Sequence, residues 1–201
     1  DTQLLKVNEE MPLLALTNSH NGLSSFAIDT AFFRLACSNG LLMPTSSLAS
    51  ARIVHKKGME TDVINAAYKV VQAFPEQIAQ IEAMKNVALT QDERLLLSTA
   101  SVNMAFEEEV IKVNQERNPL EKAMLRVRRS ADVNPNLWNT FNVVQENIIK
   151  GGIRVIRENE RGQQSIARTR AVNSIDRDTK LNKELMAIAQ KMLELKTGVV
   201  A

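Results

Sequence analysis

The sequence contains very few residues that suit redox or metal chemistry: one cysteine, Cys37, and two histidines, His20 and His55, among 201 residues. A single cysteine excludes an intramolecular disulfide, which suits a protein of the reducing cytoplasm, and we expect that location. The three residues share no metal-ligand spacing, so the sequence predicts no metal site and no cofactor. Cys37 lies in an apolar stretch, where a free cysteine is usually a small buried side chain rather than a nucleophile.

Several other signatures are absent as well. No run of about 18 uncharged apolar residues occurs, so we predict no segment that spans a membrane. The sequence has no Gly-x-Ser-x-Gly elbow, no Gly-Lys-Ser/Thr loop and no Gly-x-Gly-x-x-Gly turn, which removes support for common hydrolases and nucleotide-dependent enzymes. We therefore expect no enzymatic activity. A metal-dependent nuclease that uses Asp176 and Asp178 is the least remote enzyme class, although both acids are first of all candidate helix caps.

Aromatic residues are scarce, at 4% of the chain, and there are only seven glycines and five prolines. Aromatic and β-branched side chains usually supply the packing of β-sandwiches, so this composition favours a helix-rich core. Hydrophobic residues make up 44% of the chain, which is enough to bury a core in a domain of this length.

The first part of the chain nevertheless has the pattern of strands. An apolar stretch at 13–17 precedes Asn21-Gly22, a pair that is typical of tight hairpin turns. Residues 24–38 predict the return strand, because apolar and polar residues alternate over 25–30 and the stretch then continues apolar on both faces. Residues 51–56 predict a further strand.

These observations predict an α+β fold, with a small hairpin-based antiparallel β-sheet at the N-terminus and a mainly helical bundle after it. We expect a single domain over residues 1–201, β-rich over 1–58 and mainly helical over 59–201. Because Asp1 is not an initiator residue, we also expect an upstream segment in the full-length protein.

Helical spacing of apolar residues begins near Thr61. Pro75 predicts a kink or a new helix, since proline has no amide for the preceding turn. Thr90 and Glu93 have the spacing of a capping box, and we predict one long helix from there to about Glu116.

Two more helices follow in the second half. Asn134-Pro135 predicts the start of the first and Gly151-Gly152 its end, because glycine readily adopts the conformations that terminate a helix. The stretch 153–172 is ambiguous between strand and loop. Asp176 or Asp178 is the expected start of the last helix.

Charge is distributed unevenly, although the net charge is only +2. Residues 60–121 contain eleven acidic and five basic residues, whereas residues 122–180 contain twelve basic and six acidic residues. This asymmetry suits binding to a polyanion, or head-to-tail association of copies into a homo-oligomer. A solvated surface whose two blocks partly neutralise each other explains the pattern equally well.

The basic block consists mostly of arginine, whose planar guanidinium group binds phosphate oxygens through two hydrogen bonds. It falls into three stretches, and if these meet in space they form a groove for nucleic acid, in our view single-stranded DNA. The candidate binding residues are Arg126, Arg128, Arg129, Lys150, Arg154, Arg157, Arg168, Arg170 and Arg177.

Other interpretations of the same residues stay open. The arginines can instead pair with acidic residues of the same chain or of another copy. Trp138 and Phe141 can stack on bases, but aromatic residues on helices are more often core residues. The polar residues Asn142, Gln145, Glu146 and Asn147 can form a network that orients the last helix.

Several long segments of the sequence resemble the phage and plasmid-like proteins of domain of unknown function 932. The resemblance extends from Leu13 to Lys196 and is carried by NSHNG at 18–22, FRLACSNG at 33–40, LWNTFNVVQENIIKGG at 137–152 and TRAVNSIDRD at 169–178. It implies a cytoplasmic product of a mobile element, and it implies no activity or catalytic residues.

Two functions are therefore predicted. The first is non-enzymatic nucleic-acid binding, as a single-strand binder or annealer that acts as a homo-oligomer. The second is a protein-interaction or anti-defence role, in which the acidic helices around Glu107–Glu109 and Glu116 bind a basic host protein.

Overall fold

A computed structural model of the chain describes residues 10–17, 26–34, 40–42, 51–53, 60–117 and 119–198. The chain forms two compact units, Asp1–Ile81 and Glu82–Ala201. None of the helices in these described ranges combines the length and the apolar character that a membrane crossing requires.

The first unit contains an antiparallel sheet of four described strands: β1 (Glu10–Thr17), β2 (Phe26–Arg34), β3 (Gly40–Leu42) and β4 (Ala51–Ile53). β1 pairs with β2 along its whole length, which confirms the predicted hairpin. β3 and β4 also pair with β2, so β2 is the central strand. The predicted turn at Asn21-Gly22 lies outside the described residues, as do His20, Cys37 and His55.

Two helices follow the sheet, α1 (Glu60–Gln72) and α2 (Phe74–Asn86). α1 contacts β2 and β4. Pro75 is the second residue of α2, so a new helix starts there as predicted. Proline is tolerated at this position because the backbone amides of the first helical turn have no acceptor within the helix.

The second unit is mainly helical. Its elements are α3 (Gln91–Ala105), α4 (Glu108–Arg117), α5 (Leu120–Met124), a 3₁₀ turn (Ser130–Asp132), α6 (Leu137–Lys150), β5 (Arg154–Glu158), β6 (Gln164–Arg168) and α7 (Ile175–Thr197). With helices in the majority beside two antiparallel sheets, the described residues confirm the predicted α+β class.

Helix α6 is the centre of this unit. Every residue from Leu137 to Ile148 is buried, and α3, α5 and α7 pack against the helix. Trp138 and Phe141 are each 1% exposed, and their rings stack with centroids 5.6 Å apart. They are therefore core residues, and base stacking by either ring is ruled out in this structure.

The predicted long helix from Thr90 to Glu116 is wrong in its second half. The capping box of Thr90 and Glu93 is present, but α3 ends at Ala105 because Phe106 has an extended backbone, with φ −125° and ψ 154°. A new helix, α4, begins at Glu108.

Helix α6 begins later than Asn134-Pro135 predicts. The backbone around Asn136 forms a bridge with Ala88, and Leu89 N donates to Pro135 O at 2.8 Å. Asn136 is the capping residue, since its side chain accepts a hydrogen bond of 2.8 Å from Asn139 N. The bridge holds this segment extended until Leu137, which delays the helix.

The other predicted helix ends have mixed outcomes. Gly151 and Gly152 end α6 with φ of 62° and 77°, as predicted. The prediction that Asp176 or Asp178 starts the last helix is wrong, because α7 begins at Ile175 and Ser174 Oγ accepts the hydrogen bond of Arg177 N. The side-chain oxygen of a capping residue accepts from a backbone amide two or three residues later in the chain, and Ser174 lies three residues before Arg177.

Candidate nucleic-acid interface

Glu146, on α6, binds two of the predicted cations inside the fold. Its side chain is 4% exposed, and its carboxylate oxygens lie 3.1 and 3.0 Å from Arg129 Nε and 2.8 Å from Arg129 Nη2. Lys150 Nζ lies 3.0 Å from the same carboxylate. Burial raises the pKa of Glu146, but the hydrogen bonds of Arg129 and Lys150 outweigh burial, and the pKa lies below its usual value.

Arg128 is also part of an internal network. Its Nε donates to Asn147 Oδ1 at 2.6 Å and its Nη2 donates to Gly151 O at 2.5 Å, at the C-terminus of α6. Asn147 is fully buried and donates to the carbonyls of Met124 and Arg126 at 2.7 and 2.9 Å. A cation at the last carbonyls of a helix is favoured by the helix dipole, so Arg128 stabilises this end of α6.

A second polar contact joins α6 to α7. Gln145 Nε2 donates to Asn182 Oδ1 at 2.7 Å, and both side chains are buried. Asn182 Nδ2 in turn donates to Asp178 Oδ1 at 3.2 Å. Burial raises the pKa of Asp178, and this hydrogen bond only partly offsets it. Of the four polar residues of α6 predicted to orient the last helix, Gln145 makes this contact with α7. Glu146 and Asn147 instead bond residues that precede α6, and Asn142 donates to Trp138 O within α6.

The ambiguous stretch after Gly152 is a β-hairpin. β5 pairs antiparallel with β6, from Arg154 opposite Arg168 to Glu158 opposite Gln164. Opposite residues share a face, so Arg154 and Arg168 lie side by side on one face, whereas Arg157 lies on the other face with Val155. Arg168 Nη1 donates to Gly152 O at 3.1 Å.

Asn114, on α4, fixes the hairpin from outside. Its Oδ1 accepts from Ile156 N at 2.8 Å and its Nδ2 donates to Ile156 O at 2.9 Å. The side-chain amide thus bonds the outer edge of β5 as a neighbouring strand would. Asn114 is fully buried, so the second half of α4 is held beside β5.

The chain that leaves β6 is fixed against the end of α6. Thr169 O accepts from Gly152 N and Ile149 O accepts from Val172 N, each at 2.8 Å. A Cβ atom on Gly151 would lie 2.6 to 2.7 Å from backbone atoms of Thr169 and Arg170, so only glycine fits there. Arg170 is therefore held in a defined position.

These elements enclose a cleft of about 250 Å³. Three of the predicted residues line it: Arg157 from β5, Arg170 after β6 and Arg177 from the first turn of α7. All three are exposed, and none forms an ion pair with a described carboxylate. Glu107, Thr169 and two alanines also line the cleft. The rest of the lining is an apolar group that consists of Phe106, Val110, Ile148, Val155, Val172 and Leu181.

The structure thus places the predicted residues in three settings. Arg128, Arg129 and Lys150 make internal contacts, and Arg157, Arg170 and Arg177 share the cleft. Arg154 and Arg168 lie on the other face of the hairpin, and Arg126 is exposed on the segment after α5. The cleft therefore collects members of two of the three basic stretches, and the contact of all nine residues with nucleic acid stays a prediction.

Residue types alone did not reveal the neutral residues that build this site. Asn114 holds the hairpin in place and Gly151 allows the close approach of Arg170. No sequence motif marks either residue for this role. Gly151 was predicted as a helix end, and its close approach to Arg170 depends on a contact that is distant in sequence.

The predicted long helix from Thr90 to Glu116 would place the acidic run Glu107–Glu109 far from a helix start, and the structure shows the opposite. Because α3 ends at Ala105, the run lies at the N-terminus of α4, where the helix dipole favours negative charge. Glu107 and Glu108 are exposed. Their charge is thus explained without a basic partner.

The chain is similar to a protein family and to two curated proteins. The family model described as "Domain of unknown function (DUF932)" matches residues 1–186. The chain is similar to UPF0380 protein YafZ and UPF0380 protein YfjQ of Escherichia coli (strain K12), and it is 34% identical to each over 185 residues. Each match covers 92% of this chain and 64% of the relative, so the chain spans less than two thirds of their length. No solved structure matches the chain.

Proposed function

We propose that this chain, which belongs to the family described as "Domain of unknown function (DUF932)", binds single-stranded nucleic acid without catalysing a reaction on it. The observation that carries the proposal is the cleft lined by Arg157, Arg170 and Arg177. Guanidinium groups that form no ion pair with a carboxylate of the described residues remain available for phosphate oxygens, which they bind through paired hydrogen bonds. Three of them on one concave surface favour a polyanion.

The apolar lining of the cleft favours a single strand over a duplex. Bases of a duplex are stacked inside the helix, whereas unstacked bases of a single strand can enter an apolar pocket. Arg154 and Arg168, on the opposite face of the hairpin, extend the basic surface. A strand that leaves the cleft around β5 and β6 meets these two cations next.

We also propose a location and an assembly state for the protein. The protein acts in the cytoplasm as a product of a phage, a plasmid or another mobile element, and it acts as a homo-oligomer. The acidic block at 60–121 and the basic block at 122–180 support association of copies, because opposite charges on two regions of one chain attract neighbouring molecules.

The test is fluorescence anisotropy with a labelled poly-dT oligonucleotide of roughly 16 nucleotides at low salt. We expect binding by the full chain and weaker binding by Arg177→Gln. Lys191→Gln is the matched control, because Lys191 is an exposed cation about 21 Å farther along α7, where it pairs with Glu194. The absence of binding at low salt, or equal loss in the two variants, would contradict the proposal.

The protein-interaction hypothesis stays a prediction. Its support is the exposure of Glu107 and Glu108 at the start of α4. If it is correct, the unmodified chain recovers a host protein in a pull-down and the charge reversal Glu108→Lys abolishes this recovery. The unmodified chain then also fails to bind the oligonucleotide.

A further inference from the structure

The cleft has two chemically different parts, which points to a ligand with two parts. We propose that it binds one unstacked guanine base of the strand, with Glu107 against the Watson–Crick edge of the base and the neighbouring phosphates on Arg157, Arg170 and Arg177. The inference rests on the proposed function and adds a base preference to it.

The apolar group is the reason to place a base in the cleft. Ile148, Val155 and Leu181 are at most 6% exposed, so they form a fixed floor. A bare phosphate leaves this floor unused, whereas a base covers it with its flat apolar face. The volume of about 250 Å³ lies just below the range of about 300 to 1,000 Å³ for larger ligands, which suits one base rather than several.

The phosphates belong on the basic side of the cleft. Arg157, Arg170 and Arg177 come from β5, from the segment after β6 and from α7, so phosphates on either side of one nucleotide find different arginines. Arg170 and Arg157 are held by elements that are fixed through Gly151 and Asn114, respectively. The site is therefore formed before the ligand arrives.

Glu107 supplies the base preference. It is the acidic residue of the lining, and it comes from the connection between α3 and α4. A carboxylate only accepts hydrogen bonds. Guanine offers two adjacent donors, N1–H and the N2 amino group, whereas thymine offers one N–H between two carbonyl oxygens that repel a carboxylate. Glu107 therefore favours guanine and disfavours thymine.

The test compares an all-thymine oligonucleotide with the same oligonucleotide carrying one central guanine. For the full chain we expect roughly tenfold tighter binding of the guanine strand, as for one two-bond contact to a base. Glu107→Gln removes this preference. Glu108→Gln retains it, and this control removes the same charge from the adjacent exposed residue.

A second variant tests the pocket itself. Ala171 is exposed and lines the cleft, so Ala171→Leu fills the space without altering the core. We expect this variant to lose the guanine preference, so that it binds the two strands with equal affinity. Far-ultraviolet circular dichroism checks that both variants keep the fold.

The outcomes separate this inference from the proposed function. Equal affinity of the full chain for the two strands overturns the guanine site and leaves single-strand binding standing. A preference that persists in Glu107→Gln, or that Glu108→Gln also abolishes, overturns it as well. If no strand binds, titration with GMP and UMP decides: selective binding of GMP retains the guanine site without the proposed function, and absence of GMP binding overturns both.

Discussion

Arg154 lies directly opposite Arg168 across the β5–β6 hairpin, although both side chains are cationic. Like charges in directly opposed positions destabilise a strand pair. Gly152 O accepts a hydrogen bond from Arg168, but no described carboxylate lies within ion-pair distance of either guanidinium group. The pair therefore reduces the stability of the hairpin and is explained if its charges serve an anionic ligand.

The first prediction follows from this pair. Arg154→Glu replaces a repulsive cross-strand pair by an attractive one, so we expect the free energy of unfolding to rise by about 0.5 kcal/mol. The same variant weakens oligonucleotide binding. Urea unfolding measures the first effect and anisotropy the second. Arg161→Glu, in the hairpin turn, is the control for stability and leaves the free energy of unfolding unchanged; a destabilised Arg154→Glu would contradict this explanation.

The second prediction concerns the two glycines after α6. Both have positive φ, but only a Cβ on Gly151 meets other atoms, at 2.6 to 2.7 Å from the backbone of Thr169 and Arg170. We expect Gly152→Ala to cost about 1 to 2 kcal/mol from backbone strain alone. Gly151→Ala adds overpacking and costs at least about 3 kcal/mol. Chemical denaturation of both variants tests the order, and equal losses would show that the close approach is unimportant.

The third prediction concerns Glu146. Glu146→Gln leaves Arg129 and Lys150 without their carboxylate, and because both cations keep some solvent exposure we expect a loss of about 2 kcal/mol. Glu184→Gln is the control and changes stability little, because the side chain of this acid on α7 is 41% exposed. Equal effects of the two substitutions in thermal unfolding would argue against the internal pairing.

The fourth prediction is a pH dependence at the start of α3. The hydrogen bond from Lys196, with that from the backbone amide of Thr90, lowers the pKa of Glu93 from 4.5 to about 2. Because the folded-state pKa is the lower one, the stabilisation is present above the unfolded value and is lost as the pH falls from 4.5 towards 2. The free energies of unfolding of the wild type and Glu93→Gln therefore converge over this range. A difference that is constant from neutral pH to pH 2 would contradict the assignment.

The elements that the sequence predicts well are those with a local signal. The alternation in 26–30 and the capping box of Thr90 and Glu93 each depend on neighbours within a few residues, and both appear in the structure. The end of α6 at Gly151-Gly152 is also predicted by a local signal, since both glycines adopt positive φ angles.

The features that were missed depend on distant contacts. Residues 90–116 have continuous helical character, yet the chain breaks at Phe106, and α4 then bonds β5 through Asn114. Likewise, nothing near Arg129 shows that its guanidinium group binds Glu146, because the two residues are 17 positions apart. The sequence shows which residues are cationic, but only the fold shows which of them bond groups of α6 and of the glycine that follows it.

The most direct test of the account is the salt dependence of oligonucleotide binding by the full chain and by the triple variant Arg157→Gln/Arg170→Gln/Arg177→Gln. If the cleft and the Arg154–Arg168 pair together contact five phosphates, the slope of log Kobs against log salt concentration is about −3.5 for the wild type and about −1.4 for the variant. A wild-type slope near zero, or an unchanged slope in the variant, would contradict binding of nucleic acid through this cleft.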